Sequence, residues 1–73
     1  MGINDHEYVN FSEDYELNYH LEKWNKSKSI RNRITLRTMG DELKNKLQVY
    51  FVTHQQFDSY ISTNLYRLDN PLL

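Results

Sequence analysis

Apolar and polar side chains alternate through much of the first half of the chain. Over residues 14–22, Tyr15, Leu17, Tyr19 and Leu21 alternate with Asp14, Glu16, Asn18, His20 and Glu22. A period of two marks a half-buried strand, and the tyrosines favour extended backbone. A helical reading stands beside it: Leu17, Leu21 and Trp24 fall at i, i+4 and i+7, with Ser12 ahead of them as a cap. The polar stretch 25–29 has the composition of a turn. Alternation then resumes over residues 30–37. Ile30, Ile34 and Leu36 share one face, with Asn32 as the polar exception, and Arg31, Arg33, Thr35 and Arg37 take the other. This pattern predicts a second strand and, with the first, a hairpin that pairs an acidic strand with a basic one. Residues 7–11 offer a further short strand.

The period changes after Met39 and Gly40, which end the extended region. Asp41 and Glu42 open a helix where its dipole favours acids. Leu43, Leu47, Tyr50 and Phe51 follow at helical spacing, with Lys44, Asn45, Lys46 and Gln48 facing outward. Residues 49–53 have strand propensity on their own, but the continuous stripe keeps them in the helix. Residues 53–56 form a break. Asp58 or Ser59 then caps a second helix with Tyr60, Ile61, Leu65 and Leu68 on its apolar face, and Pro71 ends regular structure. The expected fold class is α+β, a small single domain. An N-terminal strand or hairpin region (1–29, acidic and aromatic) precedes a strand–helix–helix core (30–73). The alternative is a monomeric hairpin with two packed helices.

The strand Arg33, Ile34, Thr35, Leu36, Arg37 followed by two helices resembles the ribbon–helix–helix family of small bacterial, plasmid and phage repressors, the Arc and MetJ types among them. The resemblance covers residues 30–68. It implies a homodimeric transcription regulator in which strands from two protomers pair into a ribbon that enters the major groove of double-stranded DNA. Arg33, Thr35 and Arg37 match the outward, base-reading positions, and Ile34 and Leu36 the inward ones. Leu43, Leu47 and Phe51 match the buried stripe of the first helix, and Ile61, Leu65 and Leu68 that of the second. Phe57, Asp58 and Ser59 fall where family members hold a backbone phosphate. The chemistry suits this role: Arg bonds guanine with two donors, and Thr bonds a base edge or touches the thymine methyl. Lys26, Lys28 and Arg31 would add phosphate contacts. The plainer reading of Arg33, Thr35 and Arg37 is the solvated face of a sheet.

Charge leaves that choice open. Net charge is −1, but its distribution is uneven. Six acids and no Lys or Arg fall between Asp5 and Glu22, and six bases and no acid between Lys23 and Arg37. Either the acidic segment lies against the basic one within the fold, or the bases face a polyanion. The ten aromatics (six Tyr, three Phe, one Trp) support a second function from a different class, a small module or inhibitor that binds a host protein. Its contact residues would be Tyr15, Tyr19 and Trp24, with Tyr8 a further candidate.

At 73 residues the chain has room for one domain, which buries only about 60% of its unfolded surface. There is no cysteine, so disulfides cannot supplement the core, and a reducing compartment fits. His6, His20 and His54 lack metal-ligand spacing, and His20 and His54 read as surface or partner-contact residues. No phosphate loop and no nucleophile–base set are present. Glu13, Asp14 and Glu16 read as a solvated acidic face. An enzyme and a cofactor are therefore not expected. The first residues lack the order of a secretory leader, and His6 stands where a myristoylation signal needs Ser or Thr. No apolar run approaches the roughly 20 residues of a membrane span. The expected location is the cytoplasm.

Overall fold

The computed structural model describes residues 7–71; the first residues, where no secretory leader is expected, lie outside them except for Glu7. The described residues form three helices, α1 (Asp14–Lys23), α2 (Ile30–Leu47) and α3 (His54–Ser62), followed by a 3-10 turn, Leu65–Arg67. Bridged extended backbone among these residues is limited to one isolated antiparallel pair, Tyr8 with Thr53. The α+β expectation is thereby overturned, and with it both the strand–helix–helix core and the hairpin alternative. Residues 14–22 and 30–37, expected as strands, are helical, and residues 7–11 contribute only the bridge at Tyr8.

Burial explains the outcome for residues 30–47. A strand over 30–37 would place Asn32 among the apolar side chains and leave Met39 and Leu43 to another element. As a helix, Asn32, Leu36, Met39, Gly40 and Leu43 fall on one continuous buried stripe. Ile30 and Ile34 turn to solvent instead. Ser29 caps this helix, its hydroxyl accepting the Asn32 N–H at 3.1 Å. Gly40, expected to end an extended region, sits inside α2. A Cβ there would run into the Phe11 ring, so glycine lets the N-terminal segment lie directly on the helix backbone.

In α1 the i, i+4 pattern decides: Leu17 and Leu21 are fully buried and the alternating tyrosines are exposed. Both long helices end without glycine. Asn25 (φ 55°) and Gln48 (φ 58°) take the left-handed position instead. Each stop carries the paired bonds of a Schellman motif: Lys26 N–H to Leu21 C=O at 2.7 Å, and Val49 N–H to Lys44 C=O at 3.0 Å. Residues 49–53 are not helical, contrary to expectation. The stripe stops at Gln48, and beyond it Val52 is buried while Tyr50 and Phe51 are exposed. The last helix starts earlier than Asp58, at a capping box in which Thr53 Oγ1 accepts the Gln56 N–H at 3.0 Å and Thr53 N–H donates to Gln56 Oε1 at 2.9 Å.

One core joins all segments: Leu17 and Leu21 of α1, Leu36, Met39 and Leu43 of α2, Phe57 and Ile61 of α3, and Val9, Val52 and Leu68 from the connections. Asn32 fastens the C-terminal segment to it. Its amide donates to Ser27 C=O at 2.7 Å and Asp69 C=O at 3.0 Å, and its oxygen accepts the Asp69 N–H at 2.9 Å. No described helix is long and apolar enough to cross a membrane.

Candidate functional site

The helical periodicity of α1 gives it three sides besides the core. Toward α2, Asp14 and Asn18 meet the arginines. Arg37 Nη2 donates to Asp14 Oδ1 at 2.7 Å, and its Nε to the Phe11 carbonyl at 2.9 Å. Arg33 Nη1 donates to Asn18 Oδ1 at 3.1 Å and to Lys28 C=O at 3.0 Å, with its Nε 3.7 Å from Asp14 Oδ1. Glu22 stands 3.8 Å from Lys28. Of the two arrangements the charge distribution allowed, the acidic segment does lie against the basic one.

Toward α3, His20 meets His54. His20 Nε2 and His54 Nδ1 are 2.9 Å apart, and the rings are stacked at 17°. His54 Nε2 lies 3.2 Å from Glu16 Oε1, so a proton on that nitrogen satisfies both groups. His54 Nδ1 then accepts from His20 Nε2–H, which leaves a bare lone pair on His20 Nδ1. That atom is buried without a hydrogen-bond partner, 3.9 Å from Asp58 Oδ1. The tautomers are inferred from the bonds, and they account for the orphan: two acceptors face each other. Burial pushes the His20 pKa down to about 4, and the neighbouring His54 adds to the effect, with Asp58 opposing. Asp58 accepts from Trp24 Nε1 at 2.9 Å and from Lys23 Nζ at 3.0 Å. Partial burial works against its charge, but those two bonds hold the carboxyl below its ordinary range.

The third side faces solvent and carries Tyr15 and Tyr19. Beyond the arginine seam, Ile30 and Ile34 face solvent from α2, and these four side chains are between 56 and 69% exposed. A separate network ties the far end of the fold. Arg67 grips Glu42 with two bonds of 2.8 and 2.9 Å, and the Tyr60 hydroxyl donates to the same carboxylate at 2.8 Å. Those bonds, Arg67 first, bring the Glu42 pKa down to about 2.

The residues expected to contact DNA each have partners within the fold or lie on a helix. Arg33 and Arg37 are held by Asp14, Arg31 lies 3.6 Å from Asp69, Lys26 bonds Asn70 at 2.8 Å, and the Thr35 hydroxyl donates to Arg31 C=O. Ser59 is exposed in the middle of α3, not at a helix start. With residues 33–37 helical, a β-ribbon has no strand to carry it. Of the three aromatics named for protein contact, Tyr15 and Tyr19 are exposed, while Trp24 packs partly buried against the core. Comparison of the chain with protein-family models, curated proteins and solved structures finds no match. No group of three His, Cys, Asp or Glu side chains among the described residues is placed to hold a metal ion. The His20–His54 contact escaped the sequence reading. Glu16 with His20 and His54 with Asp58 are spaced i, i+4, but the contacts cross between the helices, Glu16 to His54 and Asp58 to His20, so no local pattern pointed to them.

Proposed function

We propose that the chain is a small, non-catalytic protein-binding module of the cytoplasm whose contact surface is the outer face of α1 and α2. The observation that carries this is the exposure of Tyr15, Tyr19, Ile30 and Ile34 on the solvent sides of two helices whose inner sides fill the core. Solvated helix faces are ordinarily polar, so large apolar side chains on the solvent sides of two adjoining helices favour a contact surface. Tyr is also among the side chains that dominate binding energy at interfaces. The intervening Arg33 and Arg37 share the Asp14 carboxylate and are committed to bonds within the fold, so the apolar groups supply most of the attraction. The exposed Glu13 and Glu22 beside the tyrosines favour a partner other than a second copy, one with an apolar centre and a basic rim.

Photo-crosslinking tests this reading. A benzophenone side chain at position 15, 19 or 34, introduced in the cells that make the protein, is expected to capture one defined protein. The same group at Ser62, exposed on α3, is expected not to. Tyr15→Ala with Tyr19→Ala should then weaken binding of the captured protein by about 2 kcal/mol or more at unchanged helicity. Equal capture from position 62, or full binding by the double variant, would overturn the assignment. Capture of a second copy alone would replace it with self-association.

A further inference from the structure

A second apolar surface lies at the other end of α2. From Ile30 to Leu47 the helix rises about 25 Å, so this surface is separate from the face that carries Tyr15 and Ile34. After the left-handed stop at Gln48, the chain turns its large side chains outward: Tyr50 is 89% exposed, and Leu47, Val49 and Phe51 are exposed beside it. Two clefts flank this corner. One, of about 470 Å³, has Leu43, Leu47 and Tyr60 as its apolar lining and Gln55, Gln56 and Ser59 among its polar lining. The other lies between Lys44 and Tyr50.

The charges here differ from those of the rest of the chain. The other Lys and Arg side chains pair with a carboxylate or, for Lys26, with Asn70. Lys44 and Lys46 have no such partner among the described residues. Lys46 borders the larger cleft and Lys44 the smaller, so one ammonium without an ion pair among the described residues lies on each side of Leu47. Lys44 is also held in place, 4.7 Å over the Phe11 ring.

We propose that the corner between α2 and α3 docks an acidic, amphipathic segment of a partner protein, with an apolar side chain in the cleft between Leu43, Leu47 and Tyr60 and carboxylates on Lys46 and Lys44. The charge of the rim sets the sign of the partner. The amides and hydroxyl in the cleft match the backbone groups of a peptide. A lipid surface has no use for them, and the chain's net charge of −1 opposes an anionic membrane. Two lysines are too few for the phosphate contacts that sustain binding to a nucleic acid. With the α1–α2 face, the chain would hold two proteins at once, one at each end of its longest helix.

Selection from a displayed library of random peptides against the full chain tests this. Binders are expected to be rich in Asp, Glu and large apolar residues. Their affinity should fall about tenfold or more in Lys44→Glu with Lys46→Glu, the equivalent of two lost charge-assisted contacts. It should also fall in Tyr50→Ala, whose side chain is too exposed to affect folding. Tyr15→Ala should leave it unchanged. The proposal is overturned if no binders emerge, if they lack acidic residues, or if charge reversal leaves them bound. Uptake by vesicles of phosphatidylserine and phosphatidylcholine that is lost with the same lysines, in the absence of peptide binding, would assign the corner to membranes instead.

Discussion

The two flanks of α1 hold the same helix by different chemistry. Against α2 the contact is a seam of fixed charges, Asp14 with Arg33 and Arg37, partly open to solvent. Against α3 it is a pair of imidazoles, His20 almost fully buried and His54 half-buried, ended by Glu16 and Asp58. Fixed charges in water contribute little each, weaken with salt, and do not change near neutral pH. A buried neutral histidine is worth more and depends on a single proton. One helix thus combines an attachment that responds to ionic strength with one that responds to acidity.

The largest effect should come from removing the side chain that supports both flanks. Phe57 packs edge-on against His20 at 5.2 Å and against Phe11 at 5.0 Å, and the Phe11 carbonyl receives Arg37. Phe57→Ala should cost about 3–5 kcal/mol, read as a shift in the urea midpoint; a loss below 1 kcal/mol would mean the flanks do not share this support.

Acid should come next, and it should act on the α3 flank alone. The folded pKa of His20, about 4, lies below its unfolded value near 6.5, so the unfolded chain binds more protons between them. Stability from this group is therefore complete above pH 6.5 and is lost as pH falls toward 4, by about 3 kcal/mol. Asp58 and Glu16 soften the loss, and His54 and Lys23 sharpen it. His20→Leu should flatten the curve in that window. An unaltered slope in the variant would place the titration elsewhere.

The smallest effect belongs to the charge seam. Asp14 is more than half exposed, so Asp14→Ala should cost about 0.5–1 kcal/mol at low salt. The difference from the unaltered protein should shrink as salt rises to about 1 M. A cost that persists at high salt would show that the seam acts through packing rather than charge.

The helices themselves were partly legible. Leu17, Leu21 and Trp24 marked the register of α1, but the alternating tyrosines argued for a strand. Side-chain preference for a strand has force only when a neighbouring strand supplies contacts, and none is present among the described residues. Asn32 was the informative misfit. As a strand residue it spoils a buried face. As a helical one it opens the stripe continued by Leu36, Met39 and Leu43, and it is satisfied by Ser27 and the distant Asp69 backbone. That second partner cannot be read locally. Leu43, Ile61 and Leu68 are in the core as expected, but Leu47, exposed at the end of α2, and Phe51, beyond the left-handed stop at Gln48, are not. Thr53 and Gln56 have the spacing of a capping box, so the start of α3 was legible within the expected break. The His20–His54 pair lay beyond local patterning, since it joins separate helices.

The short bridge at Tyr8 and Thr53 bears on the order in which the chain assembles. Its bonds, His54 N–H to Glu7 C=O at 2.9 Å and Val9 N–H to Val52 C=O at 3.0 Å, close the longest loops of any backbone hydrogen bonds among the described residues. Each helix closes its bonds within a turn, so local structure forms before such loops are worth their entropy. The bridge should therefore zip late, bringing Tyr8 to within 5.9 Å of Phe51. Until it does, the nascent chain presents an apolar run with extended-backbone preference and no cover. The contact that closes the longest loop is then also the one that seats Val52 in the core, while Tyr50 and Phe51 stay exposed in the finished fold.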